Sequence, residues 1–251
     1  MKMQHLALHR QRGFSLLETA LVVLTMGVVL GVSMVAQNQT ASKSTASEAA
    51  FMDSVMTASF LFVQRNNRLP CPDSGASATG FETLSGGRCV VTVGRVPYLT
   101  LGVALSGPVG TGMDQQFTYG VYRGGGTDAK DLTLNAERSL AAGVSTPHVA
   151  PNASYMNLDD FKQGVINAWA ATATTSEIYV TGNDADSGAS SGCAMVANMA
   201  FIVAFKGGRN AAVNTGSPAT CFTGPGKPFS PTYDNLVRAV SFSELLGVLS
   251  R

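Results

Sequence analysis

Histidine, tryptophan and charge are all scarce in this chain. Its 251 residues hold three histidines, His5, His9 and His148, and no Cys-x-x-Cys pair, so the ligand sets from which zinc sites are built are missing. His148 lies in Ser-Thr-Pro-His-Val-Ala-Pro-Asn with no catalytic motif around it, and no nucleophile elbow on a strand-to-helix turn is legible. The glycine-rich run Arg123 to Asp131 lacks the Gly-Lys-Ser/Thr ending of a phosphate loop and reads as a turn between strands. Charged residues make up only 13% of the chain, and the formal net charge is +1. Lys2, Arg10 and Arg12 all precede Phe14, and the rest of the chain carries 14 basic against 16 acidic side chains. No basic field for nucleic acid is left, and nucleic acid is not an expected partner. No enzymatic activity, metal or cofactor is expected.

What is abundant is apolar and small. From Phe14 to Ala36 runs an apolar stretch of 23 residues whose only charged side chain is Glu18. As a helix it would rise ~34 Å, enough for a bilayer core of ~30 Å. The basic residues before it would hold its N-terminus in the cytoplasm and deliver the remainder outside. A cleaved secretory signal has a shorter apolar region, ending at a small-x-small site. A plain anchor fits the length, yet a carboxylate within a spanning segment costs at least ~2.5 kcal/mol with no return. A leader removed ahead of an assembly segment is the third reading.

The residues Arg12-Gly13-Phe14-Ser15-Leu16-Leu17-Glu18-Thr19-Ala20-Leu21 resemble the processing motif of type IV pilins and pseudopilins. The resemblance implies cleavage by a prepilin peptidase between Gly13 and Phe14, N-methylation of Phe14, and a role for Glu18 in subunit assembly. It further implies other pilin or pseudopilin subunits, an inner-membrane assembly platform and the lipid bilayer as partners. The implied location is the bacterial inner membrane, single-pass with the head extracytoplasmic, and then a type IV pilus or a periplasmic type II secretion pseudopilus. Independently of the resemblance, cleavage there would create a protonated amine four residues from Glu18, and a cation and an anion would share one apolar end. Paired within the chain or between subunits, they would set register more surely than they add stability. Gly27 and Gly31 add a GxxxG spacing that lets helices approach closely in lipid. The function expected is that of a minor pilin or pseudopilin. The alternative is a membrane-anchored extracytoplasmic binding or adhesion module that does not polymerise.

The expected fold is α+β and pilin-like. Residues 1–13 form a leader, 14–36 a transmembrane and assembly helix, 37–66 its continuation, and 67–251 a head with an antiparallel sheet packed on that helix. The combined helix, of roughly 50 residues, rests on an uneven stripe of Ala46, Ala49, Ala50, Val55, Met56, Phe60 and Val63, and ends at Pro70 and Pro72. Strands are expected at 89–93, 117–122, 177–181, 199–205 and 236–240. A helix is expected over 158–172 with Trp169 in the core, and another over 243–249 capped by Ser243. Four cysteines allow three connectivities, and the local pairing Cys71 with Cys89 and Cys193 with Cys221 is preferred, as disulfides of an oxidising compartment. Asn183, Asp184 and Asp186 are oxygen donors of the kind calcium takes, but not at EF-hand spacing, and read as an exposed loop. Leu69-Pro-Cys-Pro-Asp73, Cys89 and Val96-Pro-Tyr-Leu-Thr-Leu-Gly102, in that order, are similar to a group of bacterial pilin-like proteins with a proline-cysteine-proline turn after the helix.

Overall fold

Helix α1 covers 46–66. Met52, Val55, Ser59 and Val63 recur at helical spacing and are fully buried, while Phe51 and Phe60 bring their rings to 4.5 Å of Phe117 and 5.7 Å of Phe201. The helix stops before its prolines, because Asn67 turns left-handed (φ 53°) and donates its N–H to the Val63 carbonyl at 2.8 Å. The computed structural model describes residues 46–75, 79–104, 116–138, 156–182, 193–207, 219–229 and 233–251. The chain divides into two compact units, Met1–Ser47 and Glu48–Arg251, and the sheets and the helices after α1 all belong to the second.

The expected helix of roughly 50 residues is thereby corrected. The described helix is confined to 46–66, and no helix among the described residues is long and apolar enough to cross a membrane. The expectation joins two stretches across Gln37 to Thr45, whose sequence holds no large apolar residue and so offers no stripe to bury. The segment 14–36 lies outside the described residues.

After α1 comes a short hairpin, β1 (Leu84–Ser85) and β2 (Arg88–Cys89), then β3 (Val93–Arg95), the one-turn helix α2 (Tyr98–Leu101) and β4 (Phe117–Val121). The strand expected over 89–93 is thus split between two sheets. Helix α3 (Leu158–Trp169) opens on a capping box: Asn157 Oδ1 accepts from the N–H groups of Asp159 and Asp160, and Asp160 accepts from that of Asn157. Then follow β5 (Tyr179–Thr181), β6 (Met195–Asn198), β7 (Phe201–Phe205), β8 (Cys221–Phe222), β9 (Leu236–Val240) and α4 (Phe242–Leu249). The cap of α4 is Ser241, whose Oγ accepts from the N–H of Glu244 at 3.1 Å, in place of the expected Ser243.

The main sheet has the order β3-β4-β7-β9 and is antiparallel throughout. Its register sets Phe117 opposite Phe205 and Val121 opposite Phe201, so the aromatics that meet α1 share one face. β7 is buried along its whole length, which explains an uninterrupted apolar run where a half-exposed strand would alternate. The opposite face carries a second sheet, ordered β6-β5-β8. A Cβ on Gly120 would lie 2.9 Å from Ile178 Cγ2 and 3.3 Å from the Phe222 ring, so glycine lets the two layers close. β5 and β8 run parallel, a departure from the purely antiparallel head expected.

Candidate functional site

The three separated motifs of the second resemblance meet in one cystine-clasped knot beside β3. Cys71 is bonded to Cys89, with Cα atoms 5.2 Å apart, and ties the Pro-Cys-Pro segment to the β1–β2 hairpin. Asp73 exchanges both main-chain hydrogen bonds with Arg95, at 3.0 and 2.9 Å. That contact needs Gly94, where a Cβ would stand 2.7 Å from the Asp73 carbonyl oxygen. The buried Asp73 carboxylate accepts from the N–H groups of Gly75, Thr79 and Gly80 at 3.0, 2.7 and 2.8 Å, and so folds the chain back on itself. Gly80 then accepts from Leu99 N–H at 2.8 Å, which seats the Val96–Gly102 motif on the loop.

Arg68 and Glu82 hold the knot to the end of α1 through a bidentate pair at 2.8 and 2.6 Å, and Glu82 also accepts from Cys71 N–H at 3.0 Å. Burial raises the Glu82 pKa, but the Arg68 guanidinium and the Cys71 N–H together outweigh it and hold the carboxyl below its usual range. A carboxyl whose folded pKa is depressed contributes stability above its unfolded pKa of about 4.3, and that contribution disappears as pH falls through the folded value. Arg68→Ala is expected to cost about 2 kcal/mol at neutral pH and to lose that difference in acid. Urea unfolding at pH 7 and pH 3 measures both. A cost that is equal at the two pH values would show that packing, rather than the ion pair, is what Arg68 supplies. Both carboxylates of the knot are bound to donors, and its thiols are consumed in the disulfide. Its geometry is that of a rigid platform.

A second polar cluster leaves no motif in the sequence. The turn Gly124–Gly126 after β4 points the N–H groups of Arg123 and Gly125 at the buried Glu177 carboxylate, at 2.8 and 2.6 Å. The backbone nest that could cradle a phosphate is filled by the protein's own anion. Burial beside Glu177 pushes the Tyr122 hydroxyl up to about 12. Beyond the turn the chain leads to Arg138, whose side chain is almost wholly buried against α3 at Gly164.

That contact decides which side of α3 faces inward. The helical pattern places Trp169 in the core with Phe161 and Val165. Phe161 and Val165 are buried as expected, but the buried arc extends from them through Asp160, Gly164, Asn167 and Ala168 and leaves out Trp169. Arg138 N–H donates to Asp160 Oδ1, and Asn167 Nδ2 donates to the Ala129 carbonyl, so polar side chains of the helix face inward beside the apolar ones. The helix is rotated toward these partners, and Trp169 is left 59% exposed. It lines a groove of about 250 Å³ with Val196, Met199 and Phe242, between the end of α3, β6 and the start of α4.

Gly13, Phe14 and Glu18 lie outside the described residues, as do Asn183, Asp184, Asp186, His148 and the Gly27–Gly31 pair. Cys193 and Cys221 are bonded as expected, Cα atoms 6.0 Å apart, and join β8 to the start of β6. The two disulfides fit an oxidising, extracytoplasmic setting. Among the described residues no group of three or more His, Cys, Asp or Glu side chains is placed to hold a metal ion. Comparison with family models, with curated proteins and with solved structures gave no match.

Proposed function

We propose that the chain is a structural subunit, a minor pilin or pseudopilin, cut by a prepilin peptidase after Gly13 and assembled through its apolar N-terminal segment into a type IV pilus or a type II secretion pseudopilus. The observation that carries this reading is the order Arg12-Gly13-Phe14 followed, four residues on, by Glu18 as the only charge in a 23-residue apolar run. A simple anchor gains nothing from that carboxylate, whereas cleavage supplies it with a cationic partner. The disulfide-stapled head supports the same reading, since it suits a domain carried outside the cytoplasm. The proposed location before assembly is the inner membrane, held by residues 14–36, with the peptidase and the assembly platform as partners. A second reading, an anchored binding module that does not polymerise, draws support from the exposed Trp169 groove.

The N-terminal mass of the mature protein, made with and without the peptidase, tests the proposal. A methylated Phe14 is expected with the enzyme and an intact Met1 without it, and a start near Met34 would sink the proposal in favour of secretory cleavage. Glu18→Ala is expected to leave cleavage unchanged and to lower incorporation into polymers at least tenfold, because an unpaired amine in an apolar interface costs several kcal/mol. Sheared and sedimented polymer, quantified against the membrane pool, measures this. Unchanged incorporation would refute the pairing role.

A further inference from the structure

Of the described arginines that are at least partly buried, all but one face an acid. Arg68 meets Glu82, Arg88 meets Asp128, Arg238 meets Asp53, Arg123 Nε stands 4.0 Å from Asp131, and Arg138 faces Asp131 and Asp160. Arg95, half-buried on β3, forms no ion pair among the described residues. Its guanidinium makes a single hydrogen bond there, from Nη2 to the Gly75 carbonyl, and its Nε is buried with no acceptor. A buried donor without an acceptor is rare enough to call for a cause.

Arg95 lines a cavity of about 340 Å³ between the knot and the main sheet. Val91, Val93, Phe117 and Ala219 give it apolar walls, and Ser74 and Thr118 add hydroxyls. Thr118 stands directly opposite Arg95 in the β3–β4 register, and Ser74 is held by its own N–H on Thr83 Oγ1 at 3.0 Å. Neither hydroxyl has a hydrogen-bond partner among the described residues. The one acid in the wall is Asp73, whose carboxylate is taken up by the N–H groups of Gly75, Thr79 and Gly80. The exchange of main-chain bonds between Asp73 and Arg95, inside the Cys71–Cys89 clasp, fixes this arrangement before any ligand arrives.

We propose that this cavity binds a small organic carboxylate, held by the Arg95 guanidinium and the hydroxyls of Ser74 and Thr118, with its apolar body against Val91, Val93 and Phe117. A planar guanidinium matches the two oxygens of a carboxylate, and the hydroxyls can donate to the lone pairs that remain. A water molecule would satisfy Nε and leave the cation without a counter-charge. A phosphate monoester carries roughly −1.5 to −2 at neutral pH, more than one guanidinium offsets with the Asp73 carboxylate in the same wall. About 150 Å³ of apolar space is enough for a benzene ring, so the cavity admits an acid of benzoate size. A free acid and the C-terminal end of a polypeptide offer the same chemistry and differ in the bulk behind the carboxylate.

The test uses the full-length chain in neutral-detergent micelles, with isotope-labelled arginine read by the Nε–H resonances. Benzoate is expected to move the Arg95 signal saturably, with a Kd of about 1 mM or tighter, while those of Arg68 and Arg88, already paired, stay in place. Benzamide, the neutral isostere, is expected to move none of them. R95M removes the signal and so assigns it, and is expected to weaken benzoate about tenfold, read on the ligand's own resonances. T118V, which leaves the β3–β4 ladder intact, is expected to weaken it about threefold with unchanged thermal unfolding. N-acetylvaline that binds as well as benzoate would identify the end of a polypeptide as the source, and N-acetylvaline that binds about tenfold more weakly a free acid. Phosphate binding tighter than benzoate, equal shifts with benzamide, no shift at all, or wild-type affinity in both variants would overturn the site. None of these results alters the N-terminal mass or the polymer yield on which the subunit reading stands.

Discussion

Replacing Arg138 by Ala is expected to destabilise the head by about 3–5 kcal/mol, the largest single-residue effect expected in the head. The guanidinium, 1% exposed, donates to four main-chain carbonyls: Asp128 at 3.1 Å, Asp131 at 2.5 Å, Leu134 at 2.6 Å and Asp160 at 3.3 Å. Truncation strips all four of a donor and removes the cation that faces Asp131 and Asp160. Burial alone lowers the Arg138 pKa, the carboxylates of Asp131, Asp160 and Asp128 oppose it, and the balance lies at about 10, so the group stays charged at neutral pH. Arg138→Met, which keeps most of the volume, is expected to cost nearly as much as Ala, because the same four hydrogen bonds are lost and the two carboxylates lose their cation. Arg138→Lys should not rescue, since one ammonium cannot serve four acceptors spread around a planar fork. Gly164→Ala tests the same contact from the helix, where a Cβ would stand 2.6 Å from Arg138 Nε. Denaturant midpoints measure the series. A Met variant as stable as the wild type would assign the role of Arg138 to packing.

Arg138 also shows where sequence reasoning stops. Runs of β-branched, aromatic and other apolar residues locate β4, β7 and β9, and a helical apolar stripe locates α3. The same patterns misplace Trp169, since the inward face of α3 is set partly by hydrogen bonds from Arg138 and toward Ala129, and polar partners distant in sequence leave no periodic trace. Glu177 reads in sequence as the start of a strand, although its carboxylate closes the glycine turn Gly124–Gly126. A buried acid is indistinguishable from a surface acid until its donors are known. The cysteines are legible because local spacing favours local closure. The knot around one pair is not, for its strands are two or three residues long and carry no pattern. The long helix fails for a related reason: helical composition is extended across residues 37–45, whose sequence offers no large apolar side chain to sustain a stripe.

Removing the Cys71–Cys89 bond with paired Cys→Ser substitutions is expected to cost about 3 kcal/mol, from the loop-closure entropy of a link this short; the sequence separation is 18. The other link spans 28 residues and gains only ~0.4 kcal/mol more on the same entropic ground. What each clasp holds separates them further. Around Cys71 and Cys89 there is little ladder to fall back on, so the substitution should release the Asp73, Gly80 and Leu99 amides to hydrogen exchange together, as one local opening. Cys193–Cys221 ties β8 to β6 across β5, where a short parallel pair is the main-chain support. Under graded reductant, access decides the order. Cys71 and Cys89 are both buried, whereas Cys193 is half-buried. Alkylation and mass analysis should therefore find Cys193 and Cys221 modified first, with the knot surviving to higher reductant. If Cys71 and Cys89 were modified first, the knot would have to open without the rest of the head, and its main-chain bonds around Asp73 could not then make it a rigid platform.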